Sequence, residues 1–258
     1  MTAPDPSALL DLAVRAARAA GAELLSRYGN IEGLDTKSSA TDPVSDADRA
    51  SEALIVRMLT TERPDDGLLG EEGASRPSAS GITWVIDPLD GTVNYLYELD
   101  NFSVSIAAED SGGGLVGAVY DPVQDRMYTA TRGGGAFVDG RPLRANEPVA
   151  LDRALLATGF GYTPSRRARQ GAIVARVLPQ IRDIRRMGSA ALNLCELAAG
   201  RLDAYWEEGV QHWDVAAGGL IAVEAGAVMT TSRLTDATTG WLVAGPSLHA
   251  SLTVALAG

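Results

Sequence analysis

The stretch W-V-I-D-P-L-D-G-T-V-N-Y, from Trp84 to Tyr95, restricts the fold more than any other part of the chain. An apolar run of the kind that forms a buried strand stops at two aspartates, Asp87 and Asp90, with Pro88 between them. Carboxylates that lose water push up one another's pKa and destabilise the fold unless something balances them. Pro88 fixes its own φ and biases Asp87 towards extended backbone, so both aspartates fall on a bent loop with the Leu89 carbonyl between them. Gly91 and Thr92 then suit a helix start, whose unpaired N–H groups bind phosphate well. The same letters also fit ordinary turn chemistry, a D-P pair followed by D-G, so this stretch alone leaves both readings open.

Other carboxylates occupy comparable places. Glu71 follows G-L-L-G, and Asp214 opens W-D-V-A-A-G-G-L-I-A-V-E-A-G-A. Singly, each reads as a solvated loop charge or as a helix N-terminal charge favoured by the dipole. Jointly, carboxylates gathered at the ends of apolar elements call for a cation. Carboxylate, carbonyl and water oxygens are what a hard divalent ion takes, and Mg2+ is the usual choice beside phosphate. His212, His249 and the single cysteine, Cys195, do not make a transition-metal set. Cys195 lies at helical spacing among apolar residues and reads as a small buried hydrophobe.

The rest of the chain supplies a frame. Its 258 residues, 46% hydrophobic, are enough for one large domain, with a soft subdivision between 1–147 and 148–258. Periodicity predicts helices over 7–28 and from 45 or 46 to about 62. Strands follow at 67–70, 83–86, 102–108, 115–120 and 126–130, read as an antiparallel meander; 102–108 alternates as a strand with one buried face does. The last third alternates strands and helices, which points to a layered α+β or α/β architecture. A net charge of −11 tells against nucleic acid or an anionic membrane as partner. The lone cysteine, the charged N-terminus and the lack of a long apolar run lead to the expectation of a cytoplasmic protein. Seven arginines between Arg166 and Arg186 are read as a solvated helix face or a subunit contact.

G-E-E-G at Gly70–Gly73, the Trp84–Tyr95 stretch, and W-D-V-A-A-G-G at Trp213–Gly219 together resemble the signatures of the inositol monophosphatase family. T-K-S-S-A-T-D-P-V-S-D-A-D and G-S-A-A-L-N-L-C resemble its N-terminal loop and a later segment. The resemblance implies a homodimeric, lithium-sensitive, Mg2+-dependent phosphomonoesterase of the α+β class, with the layered αβαβα sandwich of the inositol monophosphatase and fructose-1,6-bisphosphatase superfamily. It assigns Glu71, Asp87 and the Leu89 carbonyl to a first metal, Asp87, Asp90 and Asp214 to a second, and a weaker third ion to Glu71. Glu71 and Thr92 would orient the attacking water, and the amides of Gly91 and Thr92 would hold the phosphate. Gly188, Ser189, Ala190 and Glu207 would line the alcohol side, with Asp90 and Asp214 beside them. Lys37, Asp42 and Asp48 match loop positions near the metals.

Val93, followed by Asn94 and Tyr95, resembles inositol phosphate members rather than those with Lys or Arg after D-G-T. Glu207 matches the acid that accepts hydrogen bonds from inositol hydroxyls. Gln211 and His212 depart from the animal pattern of His and Cys. The substrate so implied is myo-inositol 1-phosphate or a related polyol phosphate, with histidinol phosphate or fructose 1,6-bisphosphate as alternatives. A regulatory protein that has retired the chemistry is the alternative of another class, and the complete ligand set argues against it.

Overall fold

The computed structural model describes residues 5–30, 35–36, 43–44, 46–233 and 239–257. Helix α1 (Pro6–Arg27) starts behind Asp5, whose side chain accepts the Ser7 N–H at 2.9 Å, with proline at the first helical position. Two short strands, β1 (Asp35–Thr36) and β2 (Pro43–Val44), lead to α2 (Asp46–Glu62). Next come β3 (Gly67–Gly70), β4 (Ser75–Arg76), β5 (Thr83–Asp90) and the single-turn α3 (Thr92–Leu96). The strands β6 (Ser103–Asp110), β7 (Gly113–Asp121), β8 (Arg126–Thr131), β9 (Gly135–Val138) and β10 (Arg141–Pro142) complete a sheet ordered β10-β9-β8-β7-β6-β5-β3-β4.

The stretch from β5 to β10 is the antiparallel meander that the sequence suggests. One pair departs from it: β3 runs parallel to β5. The chain returns through β4, which is antiparallel to β3, and then enters β5 in the direction of β3. The carboxyl ends of β3 and β5 therefore lie side by side. The expectation of one buried face for β6 also fails, since Ser103 to Ala108 are buried throughout. Helices cover the sheet on both faces.

The second half adds β11 (Leu155–Thr158), α4 (Pro164–Val177), β12 (Asp183–Arg185), α5 (Ala190–Ala198), β13 (Ala204–Glu208) and α6 (His212–Glu224). It closes with β14 (Val228–Arg233), β15 (Thr239–Ala244) and α7 (Pro246–Ala257). This sheet is ordered β12-β11-β13-β15-β14, with β11 parallel to both of its neighbours.

Packing stacks these parts in five layers. Trp84, Ile86, Val104 and Ile106 pack on α1 and α2. Strand alternation turns Val85, Ala107 and Val119 to the other face, against Ala191, Leu192 and Cys195 of α5 and Ala216, Ala217 and Ile221 of α6. The far sides of α5 and α6 meet Ala157, Tyr205 and Val243 of the second sheet. That sheet's other face carries Leu156, Ala204, Trp206 and Leu242 against α4 and α7. The result is the αβαβα sandwich expected, and α5 and α6 are apolar nearly all round because they serve two sheets at once. Glycines set the spacing in the middle layer. A Cβ on Gly117 of β7 would lie 3.0 Å from the Ala217 carbonyl oxygen, and one on Gly218 would lie 3.0 Å from Leu194 Cβ.

Candidate metal centre

The parallel pair opens the site. Gly70 is in register with Ile86, so Glu71 and Asp87 leave adjoining strand ends together. The register with β6 then slips, Asp87 facing Ser105 and Asp90 facing Ser103. One extra residue is accommodated here as a bulge, where proline's missing N–H costs no ladder bond. The Leu89 N–H donates to Asp87 Oδ1 at 3.1 Å, and the buried Ser51 hydroxyl donates to the Pro88 carbonyl at 2.8 Å. The chain turns at Gly91, whose φ of 98° lies in the left-handed region. A Cβ there would also crowd the Asn101 carbonyl oxygen at 3.0 Å, so the turn needs glycine. Thr92 Oγ1 lies 3.2 Å from both the Leu89 carbonyl and Asp48 Oδ1, which share its one proton.

The remaining carboxylates come from helix ends. Asp90 accepts the N–H groups of Ala190 at 3.1 Å and Ala191 at 2.7 Å, and the hydroxyl of Ser189. Ser189 also caps α5 through the Leu192 N–H. It was expected along the alcohol side; the structure places it behind Asp90, fully buried, because α5 docks its N-terminus onto that carboxylate. Asp214 sits in the first turn of α6, in a capping box with Gln211. Asp48 lies in the first turn of α2 rather than in a loop, buried, with its Oδ1 accepting from Thr92 Oγ1. Lys37 and Asp42 lie outside the described residues.

Carboxylate oxygens of Asp87, Asp90 and Asp214 all lie within 4.8 Å of one another. Burial, then the charges of Glu71, Asp90 and Asp214, hold Asp87 well above the usual carboxylate range. Burial, then Glu71 and Asp90, do the same to Asp214. Asp90 is pushed up to about 6, burial outweighing its three hydrogen bonds. The cost of burial and the mutual repulsion of these groups are both relieved by a divalent cation. A set made wholly of oxygen donors suits a hard ion rather than a soft one, so the residues fit the metal that the sequence implies.

These groups line a cavity of about 370 Å³. Glu71, Asp87, Leu89, Asp90, Gly91 and Thr92 form one side, and Gly188, Ala190, Glu207 and Asp214 complete it. Asn193, Arg166 and Arg186 line it too, and sequence reasoning missed all three. The sequence groups the two arginines with a solvated helix face or a subunit contact, and nothing in a charge run says which members turn inward. Glu52 was missed as well. It accepts the N–H groups of Glu72 at 2.9 Å and Ala74 at 3.0 Å, fixing the turn that aims Glu71. A signal existed: Asp48, Ser51 and Glu52 fall on the same helical stripe as Ile55 and Leu59, where polar residues are out of place.

Comparison with known proteins agrees with this geometry. The model of the inositol monophosphatase family matches residues 5–257. The inositol-1-monophosphatase SuhB of Mycobacterium tuberculosis is 42% identical, over 99% of this chain and 96% of its own length. A protein of Pasteurella multocida named Nus factor SuhB is 43% identical, over 86% and 84%. The crystal structure of the suppressor protein suhB from Bartonella henselae superposes with a TM-score of 0.89 at 35% identity, covering 96% of this chain and 98% of that one. Fold, acidic cluster and relatives converge: this chain belongs to the inositol monophosphatase family of metal-dependent phosphatases.

Proposed function

We propose that the chain is a Mg2+-dependent phosphatase of polyol phosphomonoesters, with myo-inositol 1-phosphate as its substrate. The observation that carries this reading is the meeting of Asp87, Asp90 and Asp214 in one cavity with Thr92 and Glu207. Glu71, Asp87 and the Leu89 carbonyl would hold one ion, Asp87, Asp90 and Asp214 a second, and Glu71 a weaker third. Such ions supply Lewis acidity to the phosphoryl group and to water. The chain's own part is positioning, which is most of what phosphoryl transfer asks of a protein. Thr92 and Glu71 orient the attacking water. The N–H groups of Gly91 and Thr92 start α3 without intrahelical partners and donate to the phosphate oxygens. Glu207 accepts a hydroxyl of the leaving alcohol. Burial lifts its pKa to about 7, against the Arg186 charge and the Tyr205 hydroxyl.

The same reading extends to the whole molecule. A single domain is part of this reading, supported by the second core cluster, which draws on both halves. Tyr97 and Leu99, 75% and 54% exposed, support a homodimer through the loop after α3. Lithium would compete at a metal position. No described helix is long and apolar enough to cross a membrane, in keeping with a cytoplasmic enzyme.

A second reading, a regulatory protein that has kept the fold, draws on the relative named as a Nus factor. A retired enzyme has no use for a cluster of repelling buried acids, and that favours catalysis. The test measures phosphate release from inositol 1-phosphate with and without Mg2+. Values of kcat/KM for histidinol phosphate and fructose 1,6-bisphosphate at matched Mg2+ then rank the substrates. Absence of metal-dependent release from every phosphomonoester would overturn the proposal.

A further inference from the structure

Two neighbours hold Glu207 in place on the cavity wall. Tyr205, two residues earlier on the same face of β13, is fully buried and donates its hydroxyl to Glu207 Oε2 at 3.1 Å. Burial, then the charge of Glu207, keeps the Tyr205 phenol far above its ordinary pKa, so it remains a donor. Gly159 follows β11 directly, and the parallel register pairs Thr158 with Trp206, which brings Gly159 level with Glu207. A Cβ at Gly159 would overlap both carboxylate oxygens and Cδ of Glu207. Gly159 has no left-handed φ, so close approach is the reason for glycine there. With Oε2 engaged by Tyr205 and the flat of the carboxylate against Gly159, Oε1 accepts no hydrogen bond from the described residues.

We infer that Gly159 and Tyr205 are positioning residues that set substrate specificity. They lock the Glu207 carboxylate so that its open oxygen meets a hydroxyl next to the ester carbon of the leaving alcohol. The inference rests on the role given to Glu207 in the proposed function and extends it to residues that touch no substrate. A carboxylate already held in one rotamer loses no further side-chain freedom on binding. A site built to accept a hydroxyl discriminates against an analogue that lacks it. The chain thus selects esters of vicinal polyols over esters of similar shape without the neighbouring hydroxyl.

The experiment compares kcat/KM for myo-inositol 1-phosphate and cyclohexyl phosphate at matched Mg2+, in the wild type and in Tyr205→Phe, Gly159→Ala and Glu207→Gln. Tyr205→Phe and Gly159→Ala are expected to lower the ratio of the two values about tenfold, through KM for the inositol ester. The double variant of Tyr205→Phe with Glu207→Gln is expected to lose no more than Glu207→Gln alone. A merely structural role would lower both values together and leave the ratio where it was. Should Gly159→Ala fail to fold, Tyr205→Phe, which removes one oxygen and no packing, decides by itself. A ratio that falls in Glu207→Gln but holds in Tyr205→Phe overturns the positioning role and leaves the alcohol-reading role of Glu207 intact. A ratio that holds in Glu207→Gln overturns that underlying role and the inference with it.

Discussion

The strands β3 and β5 run side by side and bury carboxylates at both of their ends, with opposite outcomes. At the amino ends lies Asp66, 1% exposed. It accepts from Arg63 Nε at 2.8 Å, Arg63 Nη2 at 3.0 Å, the Ser80 hydroxyl at 2.6 Å and the Trp84 indole at 2.9 Å. Burial pushes its pKa up, and these donors more than offset that, leaving it below the ordinary value. At the carboxyl ends lies Asp87, also 1% exposed. There one described N–H, from Leu89, faces the charges of Glu71, Asp90 and Asp214. Both side chains are closed to solvent, but Asp87 lies deeper and among like charges, whereas Asp66 meets a cation and neutral donors; depth, neighbouring charge and donor supply together make the difference. Asp66 comes with its partners in the chain, whereas Asp87 is left short of them.

The largest expected effect breaks the binding end. Asp87→Asn should lower kcat by about a thousandfold at saturating Mg2+, measured as phosphate release. A variant that kept most of its turnover would separate Asp87 from the metals. Next comes the structural end. Asp66→Asn leaves the Arg63 charge and the other donors short of an acceptor, at a cost of about 3 kcal/mol, or about 10 °C in Tm by calorimetry, with kcat of the folded protein unchanged. Because the folded pKa of Asp66 lies below the unfolded one, its stabilisation is fully present above about pH 4 and is lost as pH falls through the folded value. The Tm gap between wild type and Asp66→Asn should therefore narrow in acid. A third, smaller effect has the opposite sign. In metal-free protein Asp87→Asn removes repulsion and should raise Tm by a few degrees, about 1 kcal/mol, while Mg2+ stabilises the wild type and no longer the variant. If both aspartates destabilised when replaced, the contrast between the two ends would fail. Smallest is Ser80→Ala, which removes one donor from Asp66 and should cost about 0.5 kcal/mol in urea unfolding.

Much of the site was legible because hydrophobic periodicity marks where elements end, and a charge at such an end stands out. Glu71, Asp87, Asp90 and Asp214 were all visible in that way. The parallel pairing of β3 and β5 was not. The return runs through β4, two residues long, too short to carry any periodicity that would reveal the direction of the chain. Ser189 was recognisable in its segment, yet the direction of its hydroxyl follows from where α5 docks, a tertiary fact. Glu52 stayed hidden because α2 is read by its apolar positions, and its first two turns bury polar ones instead.

The glycines that let α6 lie close against β7 and α5 also bear on the order in which the molecule can come into being. Glu71, Asp87 and Asp90 leave the ribosome well ahead of Asp214. Until α6 has slid between Gly117 and Leu194, the early carboxylates have neither their last companion nor the helix that holds it. A half-made chain thus lacks both the last carboxylate and the helix that helps to enclose the others. The acidic cluster can therefore close only after α6 has been made, late in the chain.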